Sequence, residues 1–216
     1  PVVRVQFLSA SRAGCGRESR AMSDAASKPS ATRSAALGWV RRGFVVVFAG
    51  ALLWAAQPTP ALWAAGFAIA ALGDALRVWA AGILVKSKQL ITAGPYQHVR
   101  NPLYVGRLLI LTGVCIACVL PGHANLVVLV LALAVFLGYY IPRKERVEPE
   151  RLERLHGEPY ARYRAAVPSL LPRLRPYGSP HGTWTWGHFV ENEEASTLVG
   201  LLAFFAVLAW RAGVLG

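Results

Sequence analysis

An all-α integral membrane protein with about five transmembrane helices is the fold this sequence predicts, on three observations. Only 16% of the 216 residues are charged and the mean hydropathy is +0.40, whereas a soluble domain carries about 25% charged residues. The apolar residues gather into uncharged runs near the ~20 residues needed to cross a bilayer. Lysine and arginine are absent from two connections between runs and concentrated in two others, the asymmetry that orients helices in a membrane.

The elements follow in order. Residues 1–38 are expected to be a disordered tail, polar and rich in Ser and Ala from 23 to 36, with Met22 the expected start and residues 1–21 an upstream extension. No residue from Gly43 to Gly73 is charged, and Pro58 and Pro60 interrupt the run. This predicts two spans within 39–85, roughly 39–57 and 61–85, joined by the turn Gln57-Pro58-Thr59-Pro60. Trp54 stands where a signal-peptide cleavage site would need small residues, so the first span reads as a retained anchor. From Leu108 to Pro142 there is again no Asp, Glu, Lys or Arg, and Pro121-Gly122 marks a turn; spans at 103–120 and 124–141 form a hairpin. The region 176–216 holds an interfacial segment with Trp184 and Trp186 and a fifth span, Ala195 to Trp210.

The turns 57–60 and 121–124 lack Lys and Arg, whereas Lys86, Lys88 and Arg100 lie in 86–102 and nine basic residues in 142–194. Those two segments and the N-terminus, with Arg41 and Arg42, are therefore expected on the cytoplasmic side, as in a multi-pass protein of a bacterial inner membrane. The net charge of +12 is divided among these connections, which suits topology signals and anionic lipid contacts better than a nucleic-acid surface. Neither nucleic acid nor an obligate protein partner is expected; the bilayer is. Cys15, Cys115 and Cys118 have neither disulfide nor metal spacing, the latter two reading as small buried hydrophobes, and no metal is expected.

Chemistry is concentrated where the spans end. Residues 88–104 read KQLITAGPYQHVRNPLY, with a turn at Gly94-Pro95, a second at Pro102, and polar or aromatic groups between. Such a bend is either a cytoplasmic loop with anchoring aromatics or the wall of a cavity. Beyond the hairpin, 145–155 is expected to be a helix against the cytoplasmic surface. Its Glu145, Glu148, Glu150 and Glu153 alternate with arginines, the pattern of a solvated helix face. Asp74 and Arg77, three apart inside the second span, are an intramembrane ion pair or a functional site. Arg107 reads as snorkelling to the interface.

Two ordered blocks around a hairpin carry a family resemblance. LITAGPYQHVRNPLYVGRLL, from Leu90, and EPERLERLHGEPYARYRAAVP, Glu148 to Pro168, resemble the signature of the isoprenylcysteine carboxyl methyltransferase and phospholipid methyltransferase superfamily. The resemblance covers about 75–175. The chain departs from the pattern at Asn101, where the family usually has histidine, at Pro149, in place of a second glutamate, and at His156, in place of an aromatic.

The resemblance implies a methyltransferase core over 86–175, with the cofactor loop, hairpin and cytoplasmic helix enclosing S-adenosyl-L-methionine and a lipid or prenylated substrate entering from the bilayer. It implies that Gln89, Leu90, Ile91, Tyr96, Asn101, Pro102, Leu103, Tyr104 and Glu148 line the cofactor pocket. Lys144 falls where the family places an arginine near the acceptor; it or Arg143 would orient an anionic acceptor, and Glu148 or Tyr104 would take the proton from an amine acceptor. The acceptor is an isoprenylcysteine-type carboxylate or a phospholipid amine. The rival readings are an NADPH-dependent, sterol-reductase-like enzyme and a non-catalytic membrane scaffold or transporter.

Overall fold

The computed structural model describes residues 31–85, 90–178 and 182–215, with backbone alone for 31–38, 41, 42 and 148. Among the described residues the regular structure is entirely helical. The chain divides into two compact units, 1–49 and 50–216. In the first, the described residues are the beginning of α1 (Ala31–Ala55), so helical backbone starts within the expected tail. The core and the candidate site both belong to the second unit.

Proline and threonine start α2 (Pro60–Ile83) where the sequence places the turn. Pro60 occupies the first helical position, where its missing N–H costs nothing, and the Thr59 hydroxyl accepts from the Leu62 amide at 3.4 Å. After a single 3₁₀ turn at Gly94–Gln97, α3 (Pro102–Ala117) begins on a second N-terminal proline. Helices α2 and α3 approach through glycines. A Cβ on Gly73 would lie 2.6 Å from the Gly106 carbonyl oxygen, and one on Gly113 would lie 2.7 Å from the Ala70 nitrogen. Close backbone approach is how helices gain packing in lipid, where the hydrophobic effect between them is absent. At the ends of α2 and α3 away from the polar loop, Ala56, Ala70, Ala117, Cys118, Phe205 and Leu208 form a buried cluster.

The hairpin continues with α4 (Ala124–Val135), a π turn at Phe136–Tyr140, and α5 (Ile141–His156). The expected surface helix is thus not a separate element: helical backbone runs unbroken from Ala124 to His156. Pro142 has no N–H to give the carbonyl four residues back, and the widened π turn lies where that register is disturbed. Gly157 ends α5 at φ 58°, ψ −137°, a backbone state that glycine adopts readily, and α6 (Glu158–Ala166) starts in a new direction.

The two remaining helices are α7 (Trp186–Glu191) and α8 (Glu194–Arg211). Three helical stretches, α2, 121–156 and α8, are long and apolar enough to cross a membrane; 43–55 and α3 are shorter apolar helices. The expected spans at 61–85, 124–141 and 195–210 fall on the three long stretches, and those at 39–57 and 103–120 fall on the two shorter helices.

The segment before α8 does more than anchor at an interface. Trp184 lies against Gly82 and its Nε1 donates to the Val78 carbonyl at 3.1 Å, while Asn192 Nδ2 reaches the carbonyls of Ala81 (2.9 Å) and Leu84 (3.0 Å). The two Asn192 bonds satisfy carbonyls at the C-terminal end of α2 that have no helical partner. Asn192→Ala is expected to cost about 1–2 kcal/mol and to speed proteolysis between residues 182 and 193; an unchanged cleavage rate would show that the tryptophans hold this segment alone.

Candidate active site

The polar loop and the segment after α6 are separated by the whole hairpin in sequence and joined in space. The amides of Arg100 and Asn101 donate to the carbonyls of Pro168 (2.9 Å) and Ser169 (3.1 Å); those of Arg173 and Tyr177 donate to the carbonyls of His98 (2.9 Å) and Gln97 (3.1 Å). His98 Nδ1 donates to the Arg173 carbonyl at 2.8 Å, an acceptor that requires the proton on Nδ1. The Tyr163 hydroxyl donates to the Tyr96 carbonyl at 2.8 Å. Gly94, at φ 57°, makes the turn that starts the loop, where a side chain would collide with Ile83.

At the centre of this junction is Glu145 on α5. One of its oxygens accepts from the Arg100 guanidinium at 2.7 Å; the other accepts from Asn101 Nδ2 at 3.1 Å and from the Ser169 hydroxyl at 2.8 Å. Asn101 Nδ2 also donates to the Ser169 hydroxyl oxygen at 3.0 Å. Glu145 therefore ties α5, the start of α3 and the segment after α6 together. Burial works against its charge, but the Ser169 hydroxyl, the Arg100 guanidinium and the Asn101 amide outweigh it and hold the carboxyl below the usual glutamate range. The neighbouring phenol of Tyr163, in the buried cluster with Tyr160 and Val167, is pushed well up by burial, against the pull of Arg100.

One residue earlier on α5, Lys144 turns to a different set of groups. Its ammonium lies 3.8 Å from the centroid of the Tyr104 ring and donates to the Tyr104 hydroxyl. Arg107 is 5.8 Å from the same ring, and the Tyr104 and Tyr140 hydroxyls are 3.3 Å apart. Tyr104 also meets Phe136 edge-on with centroids 6.0 Å apart, so the π turn lends its rings to this cluster. The result is an aromatic surface that attracts cations next to a carboxylate hub.

The implied site residues are distributed accordingly. Leu90 packs against Tyr160, Tyr163 and Val167. Tyr96 and Pro102 are buried, Ile91 is half-buried, and the Leu103 carbonyl accepts from Arg77 at 3.0 Å. Asn101, Tyr104 and Lys144 converge on the junction, while Arg143 is exposed with no hydrogen bond or ion pair among the described residues. Gln89 and the side chain of Glu148 lie outside the described residues, though the Glu148 backbone sits one turn beyond Glu145 and Lys144 on α5. Glu145 and Ser169 are central but invisible to sequence reasoning. Glu145 looked like part of a solvated face, and its distinguishing signal was only its place one turn before the matched glutamate. Of the remaining pairs on that face, Glu150 with Arg154 and Glu153 with Arg164 are indeed exposed.

The intramembrane charges take a form the spacing did not indicate. Arg77 pairs with Glu194 of α8 at 2.5 Å, both side chains buried, and makes no hydrogen bond or ion pair with Asp74. Among the described residues no group of three or more His, Cys, Asp or Glu could hold a metal ion.

Comparison with known proteins gives two results. Residues 45–158 match the family described as phospholipid methyltransferase. The cobalt-zinc-cadmium resistance protein CzcN of Cupriavidus metallidurans is 35% identical over 129 residues, covering 59% of this chain and 56% of that protein. The chain thus spans little more than half of that relative's length. No solved structure matches the chain.

Proposed function

The chain belongs to the phospholipid methyltransferase family, and from that premise we propose that it transfers the methyl group of S-adenosyl-L-methionine to an amphiphilic acceptor at the cytoplasmic membrane face. The observation that carries this reading is the junction of Asn101, Glu145 and Ser169, which brings the two sequence blocks together beside the Tyr104 cluster. The fit rests on the ring of Tyr104, whose face attracts cations: Lys144 and Arg107 lie against it now, and a sulfonium would take their place. Bound there, the cofactor supplies an electrophilic methyl group whose bond to sulfur breaks as the acceptor's lone pair forms the new one.

The chain's own contribution is positioning. Leu90, Ile91, Tyr96, Asn101, Pro102, Leu103 and Tyr104, with Gln89 and Glu148, would enclose the cofactor, and Glu148 would accept hydrogen bonds from its ammonium or hydroxyl groups. Lys144, with Arg143, would orient a carboxylate acceptor, which has no proton to lose in the transfer. For an amine acceptor, Glu148 or Tyr104 would take the departing proton. Excluding water strengthens each of these contacts. The basic residues of 86–102 and 142–194 support a site on the cytoplasmic side, and an isoprenylcysteine-type carboxylate or a phospholipid amine would be the acceptor.

Direct binding of S-adenosyl-L-methionine to purified full-length protein in detergent tests the reading. Saturable binding is expected, with Glu148→Ala weakening it about ten-fold or more, the loss of about one charge-assisted hydrogen bond. Binding of NADPH in its place would turn the reading to a reductase, and binding of neither by a folded sample would leave a scaffold.

A further inference from the structure

A groove of about 470 Å³ runs between α2 and α8, within the roughly 300–1,000 Å³ usual for small-molecule sites. Phe67, Val78, Trp79, Trp184 and Leu201 line it, and among these apolar side chains is one carboxylate, Asp74. Asp74 is only 5% exposed, and it makes no hydrogen bond or ion pair among the described residues. A buried polar group without a partner is costly, and an acidic one inside a membrane span marks a functional position by default.

The cation nearest to it in sequence is committed elsewhere. Arg77, three residues on, donates one nitrogen to the Leu103 carbonyl at 3.0 Å and another to Glu194 at 2.5 Å. Arg77 and Glu194 are the charged groups that act on Asp74. With Asp74 ionised the three groups carry one net negative charge, and Glu194 has already taken the positive one. The groove therefore presents an apolar wall with an unmatched acidic spot.

From this charge arrangement we propose that the α2–α8 groove binds a long-chain amphiphile with an ammonium head, the head pairing with Asp74 and the chain lying along the apolar wall. The chemistry selects against the alternatives. An anionic or phosphate-bearing head would meet the net negative charge of Asp74 and Glu194. Trp79 and Trp184 are part of the lining, and aromatic rings favour a cation over an anion. Asp74 lies nine residues before the last helical residue of α2, Ile83, about 14 Å along the axis, so the head is held within the span. The site also uses α8, which lies outside the family match of 45–158. It stands independently of the methyl-transfer reading.

The test is photolabelling of the full-length protein in phosphatidylcholine nanodiscs with diazirine-bearing dodecylamine, dodecanol and dodecanoate. Saturable labelling of α2 and α8 peptides by the amine is expected, competed by unlabelled dodecylamine and not by dodecanoate. Asp74→Asn should lower amine labelling about ten-fold, the scale of a single lost charge contact, and leave dodecanol labelling unchanged. Equal labelling by all three heads, or amine labelling indifferent to Asp74→Asn, would overturn the proposal and mark the groove as ordinary lipid contact. Should Asp74→Asn fail to fold, Ala71→Trp fills the same groove: loss of amine labelling supports the site and its persistence refutes it.

Discussion

Glu145→Ala is expected to lose about 3 kcal/mol of stability and most of the S-adenosyl-L-methionine binding proposed for the junction. The variant removes the acceptor shared by Arg100, Asn101 and Ser169. Arg100 is the costliest orphan, because its side chain is only 12% exposed and its charge would stay behind. Breaking such a pair from one side costs more than the pair contributes net, about 3–5 kcal/mol when fully buried and less here. Binding should suffer with stability, since the same bonds hold the start of α3 against the segment after α6. Glu145→Gln should fall between, keeping one acceptor oxygen without offsetting the guanidinium. Glu153→Ala, which removes an exposed partner of Arg164, should cost no more than about 1 kcal/mol.

Acid supplies the same test without mutation. The folded state holds the Glu145 carboxyl below its ordinary range. Its contribution is therefore complete above the unfolded-state value and is lost as pH falls through the folded one. The stability gap between the wild type and Glu145→Gln should close on acidification. A gap that stays constant down to the acid transition would mean that the carboxylate is not the group holding the junction.

Gly106→Leu is the second large effect, expected to prevent correct packing of α2 on α3 and to cost at least about 3 kcal/mol, the upper range for overpacking. Even the first carbon of a new side chain would lie 2.5 Å from the Gly73 carbonyl oxygen and 2.5 Å from Arg77 Cγ. The carbonyl is backbone and cannot yield without moving α2. Displacing Arg77 also strains its bonds to Glu194 and Leu103. Gly138→Leu is the matched control, since nothing lies within 4 Å of a Cβ there. Fluorescence-detected size-exclusion chromatography after heating would separate the two; a Gly106→Leu protein that melts alongside the wild type would refute the close approach.

Much of the fold was legible because lipid simplifies the code. Uncharged runs near bilayer length, prolines at 58, 60, 102 and 121, and basic connections on one side sufficed for five apolar helices in the right places. The two polar blocks were legible as a pair because their order around a hairpin is specific, and they do meet. The continuity of α4 with α5 was less so: Pro142 suggests a break, and only the surrounding structure shows the π turn that carries the helix past it.

Composition, hydropathy and the two blocks by themselves determined that this is a helical membrane protein of a methyltransferase family, since each depends on local chemistry that survives in one dimension. Tertiary structure alone decided which charges meet. Arg77 bypasses Asp74, three residues away, for Glu194, 117 residues away, and Glu145 rather than its neighbours on α5 receives Arg100, Asn101 and Ser169. Spacing along a helix says which side chains share a face, but a buried charge takes the partner that the opposing helix delivers in hydrogen-bonding geometry. That choice rests on register and approach distance, here set by glycines 66, 73, 106 and 113, and it exists only once the helices have packed.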